Sequence, residues 1–197
     1  VLASTLGVSK RLTIDGSGLI SQIQISGNNL RSVLSISAGS VVLKNLHIRD
    51  GYAAFSPGGG GIRYQIASPL SVIDCTFSNN HAANTSGLAN GGAILSTGIV
   101  SITGSTFYNN TATGGLVSGG AIYSTGTLTI TDSTFSDNSV TGYGGAISHS
   151  GVATIENSTF HDNVAMGLGG SIFTWENGSL NVVGSTFYDN QAKYRIR

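Results

Sequence analysis

Residues Gly119–Val140 read Gly-Gly-Ala-Ile-Tyr-Ser-Thr-Gly-Thr-Leu-Thr-Ile-Thr-Asp-Ser-Thr-Phe-Ser-Asp-Asn-Ser-Val, and the chain repeats this pattern. Gly-Gly-small-Ile opens each copy, a β-type stretch follows, and Ser/Thr-Phe-x-x-Asn closes it. The glycine pairs fall at Gly59-Gly60, Gly91-Gly92, Gly119-Gly120, Gly144-Gly145 and Gly169-Gly170. The aromatic positions are Phe77, Phe107, Phe135, Phe160 and Phe187, each followed three residues later by Asn80, Asn110, Asn138, Asn163 and Asn190. Successive phenylalanines lie 30, 28, 25 and 27 residues apart. A period in that range marks a solenoid or a propeller, in which each unit buries its apolar face against its neighbours.

Aligned on the phenylalanine, the copies show apolar residues at alternate positions. Leu70, Val100, Leu128, Ala153 and Leu180 stand seven residues before it, and Val72, Ile102, Ile130, Ile155 and Val182 five before. Two before comes Cys75, Ser105, Ser133, Ser158 or Ser185; five after comes Ala82, Ala112, Val140, Ala165 or Ala192. A period of two describes strands with one buried face. Columns that recur once per copy predict that each position stacks on itself from rung to rung. The phenylalanines should form one interior file, and the asparagines a ladder of side-chain amides along a corner. Gly-Gly suits a second corner that needs positive φ or close backbone approach. A propeller blade needs hairpin-linked strands, and hairpin turn dipeptides at that spacing are missing. The expected fold is therefore all-β, a right-handed single-stranded parallel β-helix of about seven coils, ~30–35 Å long at ~4.8 Å per rung. Residues 1–197 read as a single domain: degenerate coils over 1–58, five full coils over 59–192 and a basic tail at 193–197.

Composition agrees. Charged residues make up only 9% of the chain, while 29 glycines and about a quarter Ser plus Thr replace them. Residues 1–63 carry Lys10, Arg11, Arg31, Lys44, Arg49 and Arg63, whereas residues 64–192 contain no Lys or Arg. The basic stripe of a nucleic-acid-binding face is thus missing over most of the length. No apolar run reaches ~18 residues, so no membrane insertion by a helix of this chain is expected. The single cysteine, Cys75, excludes an internal disulfide and reads as a small core residue. With Val1-Leu2-Ala3 at its start and no initiator Met, the chain is expected to be a mature or trimmed piece.

The pairing of Gly-Gly-Ala-Ile with Phe-x-x-Asn resembles the repeats of polymorphic outer-membrane proteins and related right-handed parallel β-helix surface proteins. Leu12-Thr13-Ile14-Asp15-Gly16, Ile25-Ser26-Gly27-Asn28-Asn29 and Leu46-His47-Ile48-Arg49-Asp50-Gly51 look like the lead-in of the same domain in bacterial secreted proteins. The resemblance implies the β-helix fold and an extracellular or cell-surface location, often with an adhesive role. The β-barrel translocator of the autotransported members has no counterpart in this sequence.

Two constellations point to chemistry. Two residues after each phenylalanine run Asn79, Asn109, Asp137, Asp162 and Asp189. Asp137, Asp162 and Asp189 on consecutive rungs could bind Ca²⁺ through oxygen ligands or present acids for glycoside hydrolysis. The plainer reading is that Asp replaces Asn at a corner, because both make the same local turn bond. A lyase acting on uronic-acid polymers would need a cationic base, and none adjoins this column. The four histidines fall in different columns, against a shared metal site. The second constellation is aromatic: Tyr123, Phe173 and Trp175 should point outward, as a patch able to stack on sugar rings or pack against a protein.

The expected function is that of a noncatalytic extracellular structural or adhesive β-solenoid, with no required cofactor. Its exposed end strands invite head-to-tail self-association into a filament, or membership of a larger surface protein. A polysaccharide-active enzyme or a carbohydrate-binding module is the alternative, which leaves glycans as candidate partners.

Overall fold

A computed structural model describes residues 1–54 and 58–194, with the side chains of 85–87 and 116 left aside. The described residues form 27 short strands and no helix. Three sheets hold seven strands each and a fourth holds six. The glycine-led sheet runs from Leu6–Val8 through Leu34–Ile36, Ile62–Tyr64, Ile94–Ser96, Ile122–Ser124 and Ile147–His149 to Ile172–Thr174. A second sheet runs from Leu12–Asp15 to Ser179–Val183, the phenylalanine sheet from Ile23–Ser26 to Thr186–Tyr188, and the alanine sheet from Tyr52–Ala53 to Gln191–Ala192. Each strand pairs in parallel with its counterpart one coil away. Seven coils result, six turns apart from first to last. A propeller, which needs antiparallel neighbours, is excluded.

The registers are those of the sequence columns. Phe77 pairs with Phe107, Phe107 with Phe135, Phe135 with Phe160 and Phe160 with Phe187. Their rings stack with centroids 4.6, 4.7, 4.7 and 4.9 Å apart and planes within 5° of parallel. The first four rings are fully buried, and Ile48 continues the file below Phe77. Burial of each such side chain contributes about 1.5–3 kcal/mol. Ile62, Ile94, Ile122 and Ile147 face this file from the glycine-led sheet and share its core. Ala53, Ala82, Ala112, Val140 and Ala165 form a smaller second core under the alanine sheet.

Three of the corners are set by residues in the left-handed region. Asp50, Asn79, Asn109, Asp137, Asp162 and Asp189 have φ between 52 and 56° and turn the chain from the phenylalanine sheet into the alanine sheet. Asn45, Asp74, Gly104, Asp132, Asn157 and Gly184, at 50–60°, turn it into the phenylalanine sheet. Asn, Asp and Gly are the residues that tolerate this conformation. At the third corner the two glycines divide the labour. Gly119 supplies a φ of +72°, while a Cβ on Gly120 would lie 2.0 Å from the carbonyl oxygen of Gly145 in the next coil.

Two polar ladders run inside these corners. Asn110 Nδ2 donates to Asn138 Oδ1 and to the carbonyl of Phe77, both at 3.0 Å. Asn138 Oδ1 also accepts the backbone N–H of Asn110 at 3.0 Å. The pattern runs unbroken from Asn80 to Asn190. Buried amides are therefore satisfied on both ends, the condition under which they stabilise a core. The serine column forms the second ladder: Ser133 Oγ accepts from Ser105 N–H at 3.1 Å and donates to the Thr131 carbonyl at 2.9 Å. Cys75 starts this ladder, its thiol buried against the Ile73 carbonyl at 3.2 Å and its pKa raised by that burial.

The two ends differ. Leu2 donates its N–H to Ser26 and packs on the core beneath the first coil. On the seventh coil Leu180, Val182 and Phe187 are part-exposed, although the same columns are buried one coil below.

Candidate functional site: an aromatic cleft beside the glycine-led sheet

The connections from the alanine sheet to the glycine pairs differ in length. They span 83–90 and 113–118 after the third and fourth coils, where the strands His81–Leu88 and Thr111–Leu116 run on past the alanine column, but only 141–143 after the fifth. Long loops beside short ones leave a step on the outer surface of the stack. At that step opens a cleft of about 400 Å³ lined by Leu88, Asn90, Val117, Ser118, Tyr123, Tyr143, Ser150 and Trp175.

The aromatic side of the cleft follows from strand register. Tyr123 pairs with Ser148, and Ser148 with Phe173. The small Ser148 leaves a gap between Tyr123 and Phe173, and Trp175 reaches back over it, donating its indole N–H to Ser148 Oγ at 3.0 Å. Tyr143 stacks on Phe173 with centroids 4.9 Å apart and meets Trp175 edge-on at 5.5 Å. Phe173 and Trp175 are themselves edge-to-face at 5.0 Å. Three rings thus lock one another, with Trp175 pinned by a hydrogen bond. Of the aromatic residues expected from the sequence, Tyr123 and Trp175 line the cleft and Phe173 braces it from behind. Half-burial raises the Tyr123 phenol above its ordinary range.

The polar side comes from loops. Asn90 and Ser118 are 6% and 5% exposed, and the backbone N–H of Ser118 donates to Asn90 Oδ1 at 2.8 Å. That bond fixes the amide with Nδ2 free to donate. Among the described residues neither Asn90 Nδ2, Ser118 Oγ, Ser150 Oγ nor the phenol oxygens of Tyr123 and Tyr143 has a hydrogen-bond partner. Tyr143, Asn90, Ser118 and the apolar wall of Leu88 and Val117 are not picked out by the repeat. The signal that points to them is the change in loop length between Ala112 and Gly119 and between Val140 and Gly144.

The acidic column stands elsewhere. Asp137, Asp162 and Asp189 occupy left-handed corner positions and are exposed. Asp162 accepts a hydrogen bond from His161 Nδ1 at 2.8 Å, and the His161 ring stacks on Tyr188 at 4.9 Å. Among the described residues no group of three or more His, Cys, Asp or Glu side chains comes together to hold a metal. His47 and His81 bond Ser78 and Thr113, each at 2.7 Å, and burial lowers the pKa of both imidazoles.

Comparison with protein families gives a match to the right handed beta helix region over residues 11–160 and, overlapping it, 94–196. No curated protein and no solved structure matches the chain. The family match concerns the coil architecture and reaches no finer subclass.

Proposed function

Because the chain belongs to the right-handed β-helix family, a fold that by itself fixes no activity, we propose that it acts as a noncatalytic structural or adhesive solenoid outside the cell. One observation carries this reading. Among the described residues the cleft lining contains no Asp, Glu, His, Lys or Arg, so it offers grip and no general acid or base beyond tyrosine phenols. The repeated polar residues support it too, since the Asn and Ser columns are spent on internal ladders. The narrower kinship with polymorphic outer-membrane-type repeats rests on the Gly-Gly-Ala-Ile and Phe-x-x-Asn residues and forms part of the proposal, as does the cell-surface location. Head-to-tail association is its third element. A second copy stacked on the seventh coil would cover Leu180, Val182 and Phe187 and pair the outermost strands.

The test has two arms. Protein immobilised on beads should bind glycan- or matrix-coated surfaces while releasing no new reducing ends or unsaturated products from a polysaccharide panel. Sedimentation velocity should show assembly that grows with concentration and is abolished by Val182→Lys. Turnover would overturn the noncatalytic reading, and monomers at every concentration would remove the stacking. A polysaccharide-active enzyme is favoured by one feature, the exposed His161–Asp162 pair beside Tyr188. In that case turnover would appear and Asp162→Asn would eliminate it.

A further inference from the structure

We infer that the cleft beside the glycine-led sheet is a binding site for one or two rings of an uncharged saccharide. The inference deepens the adhesive reading and rests on it only in expecting capture without turnover. Its volume of about 400 Å³ sits at the small end of ligand pockets, which span roughly 300–1,000 Å³. A small ligand fits there; a protein interface needs far more surface.

The chemistry of the lining selects the class. Tyr123, Tyr143 and Trp175 contribute apolar rings to the lining, and Tyr143 and Trp175 are held in place by their contact with each other and with Phe173 and by the Trp175–Ser148 bond. Such rings stack on the C–H face of a pyranose while losing little side-chain entropy. In the same lining, Asn90 Nδ2 and Ser118 Oγ belong to residues more than nine-tenths buried, yet neither has a protein partner among the described residues. A polar group held at such a site is stabilised by a ligand that satisfies it. Ser150 Oγ and the two phenol oxygens add donors that also accept. A ring of hydroxyls over an apolar face meets both halves of this lining.

Two other small-ligand classes fit less well. A uronate or phosphate would be drawn out of water with no Lys, Arg or His among the described lining residues to pair it, which is costly. A quaternary ammonium would suit the three rings. The ammonium group makes no hydrogen bond, and the single hydroxyl of choline would still leave most of Asn90 Nδ2, Ser118 Oγ and Ser150 Oγ without partners.

The protein supplies its own probe, because Trp175 is the only tryptophan. Emission is followed while maltose, cellobiose, lactose, N,N′-diacetylchitobiose, digalacturonate or choline is titrated to about 20 mM, which reads dissociation constants into the millimolar range. At least one of the four neutral disaccharides should shift the emission saturably. Digalacturonate and choline should bind at least tenfold more weakly. Tyr143→Ala should weaken the neutral sugar at least tenfold and Ser150→Ala about threefold, with the melting temperature of Ser150→Ala unchanged. No saturable response to any neutral disaccharide overturns the inference, as does equal binding of digalacturonate or choline. Parent-like affinity in both variants overturns the location. Conversion of the bound sugar, seen by chromatography, overturns the noncatalytic reading while leaving the site standing.

Discussion

Asn138→Asp replaces one amide of the ladder by a carboxyl group of the same shape, and its effect should depend steeply on pH. In the parent, Asn138 Oδ1 accepts from the backbone and side chain of Asn110, while Nδ2 donates to the Phe107 carbonyl and to Asn163 Oδ1 at 3.0 Å each. An ionised Asp would keep the first pair and turn an acceptor against two acceptors in a fully buried site. Protonation relieves this, because the O–H donates to one of them. The folded-state pKa of the new carboxyl is therefore raised above its unfolded value of about 3.9. The sign follows: the variant has its full remaining stability below pH ~3.9, and loses stability as pH rises from there toward the folded-state pKa. If that value exceeds 7, the loss between pH 3.9 and 7 is about 1.36 kcal/mol per unit, or roughly 4 kcal/mol in all. A further ~1–3 kcal/mol, independent of pH, comes from the acceptor left without a donor. Thermal melts of variant and parent, followed by circular dichroism from pH 4 to 7, give the difference directly. A difference that stays flat across this range would refute the reasoning, since it would mean the carboxyl ionises freely in water.

The packing also sets the outcome of substitutions elsewhere in the stack. Gly120→Ala should remove most soluble folded protein, at a loss of about 3 kcal/mol or more, since its Cβ meets the Gly145 carbonyl oxygen at 2.0 Å. Gly115→Ala, with open space around it, should melt within about 0.5 kcal/mol of the parent. Phe135→Ala, in the middle of the ring stack, should cost about 3–5 kcal/mol by chemical denaturation, and Phe187→Ala on the part-exposed seventh coil only about 1–2. His149 is buried, its Nε2 paired with the Thr174 hydroxyl at 2.9 Å and its Nδ1 without a partner, and burial lowers its pKa. A depressed imidazole pKa stabilises above the unfolded value of about 6.5 and loses that contribution as pH falls below it. The melting temperature should thus drop from pH 7 to 5, and drop less in His149→Gln.

The columns were legible in the sequence because a stack of similar coils turns three-dimensional contact into one-dimensional alignment. Once Phe107 is set over Phe135, every neighbouring position is assigned with it, so the repeat alone encodes the parallel coil. Chemistry that depends on hydroxyl direction was harder. In the sequence Ser105, Ser133 and Ser158 show only as a column of small residues, whereas in the fold each Oγ links two coils. The second left-handed corner escaped as well, because its column mixes Asn45, Asp74, Gly104, Asp132 and Asn157 and shows no single residue type. The cleft was only half visible. Tyr123 and Trp175 lie on or beside repeating strands, but Asn90, Val117 and Tyr143 sit in connections of unequal length and Leu88 closes a strand that has outrun the repeat, so the columns do not reach them. Leu95 illustrates the same limit: alternation turns it outward, yet the fold leaves it 2% exposed.

Selective labelling of the phenylalanine rings, followed by nuclear Overhauser contacts in solution, tests the coil register most directly. Ring-to-ring contacts are expected for 77–107, 107–135, 135–160 and 160–187, at the centroid spacings of 4.6–4.9 Å, and none that skip a coil. Contacts between non-consecutive rings, or rings with no aromatic neighbour at all, would contradict it.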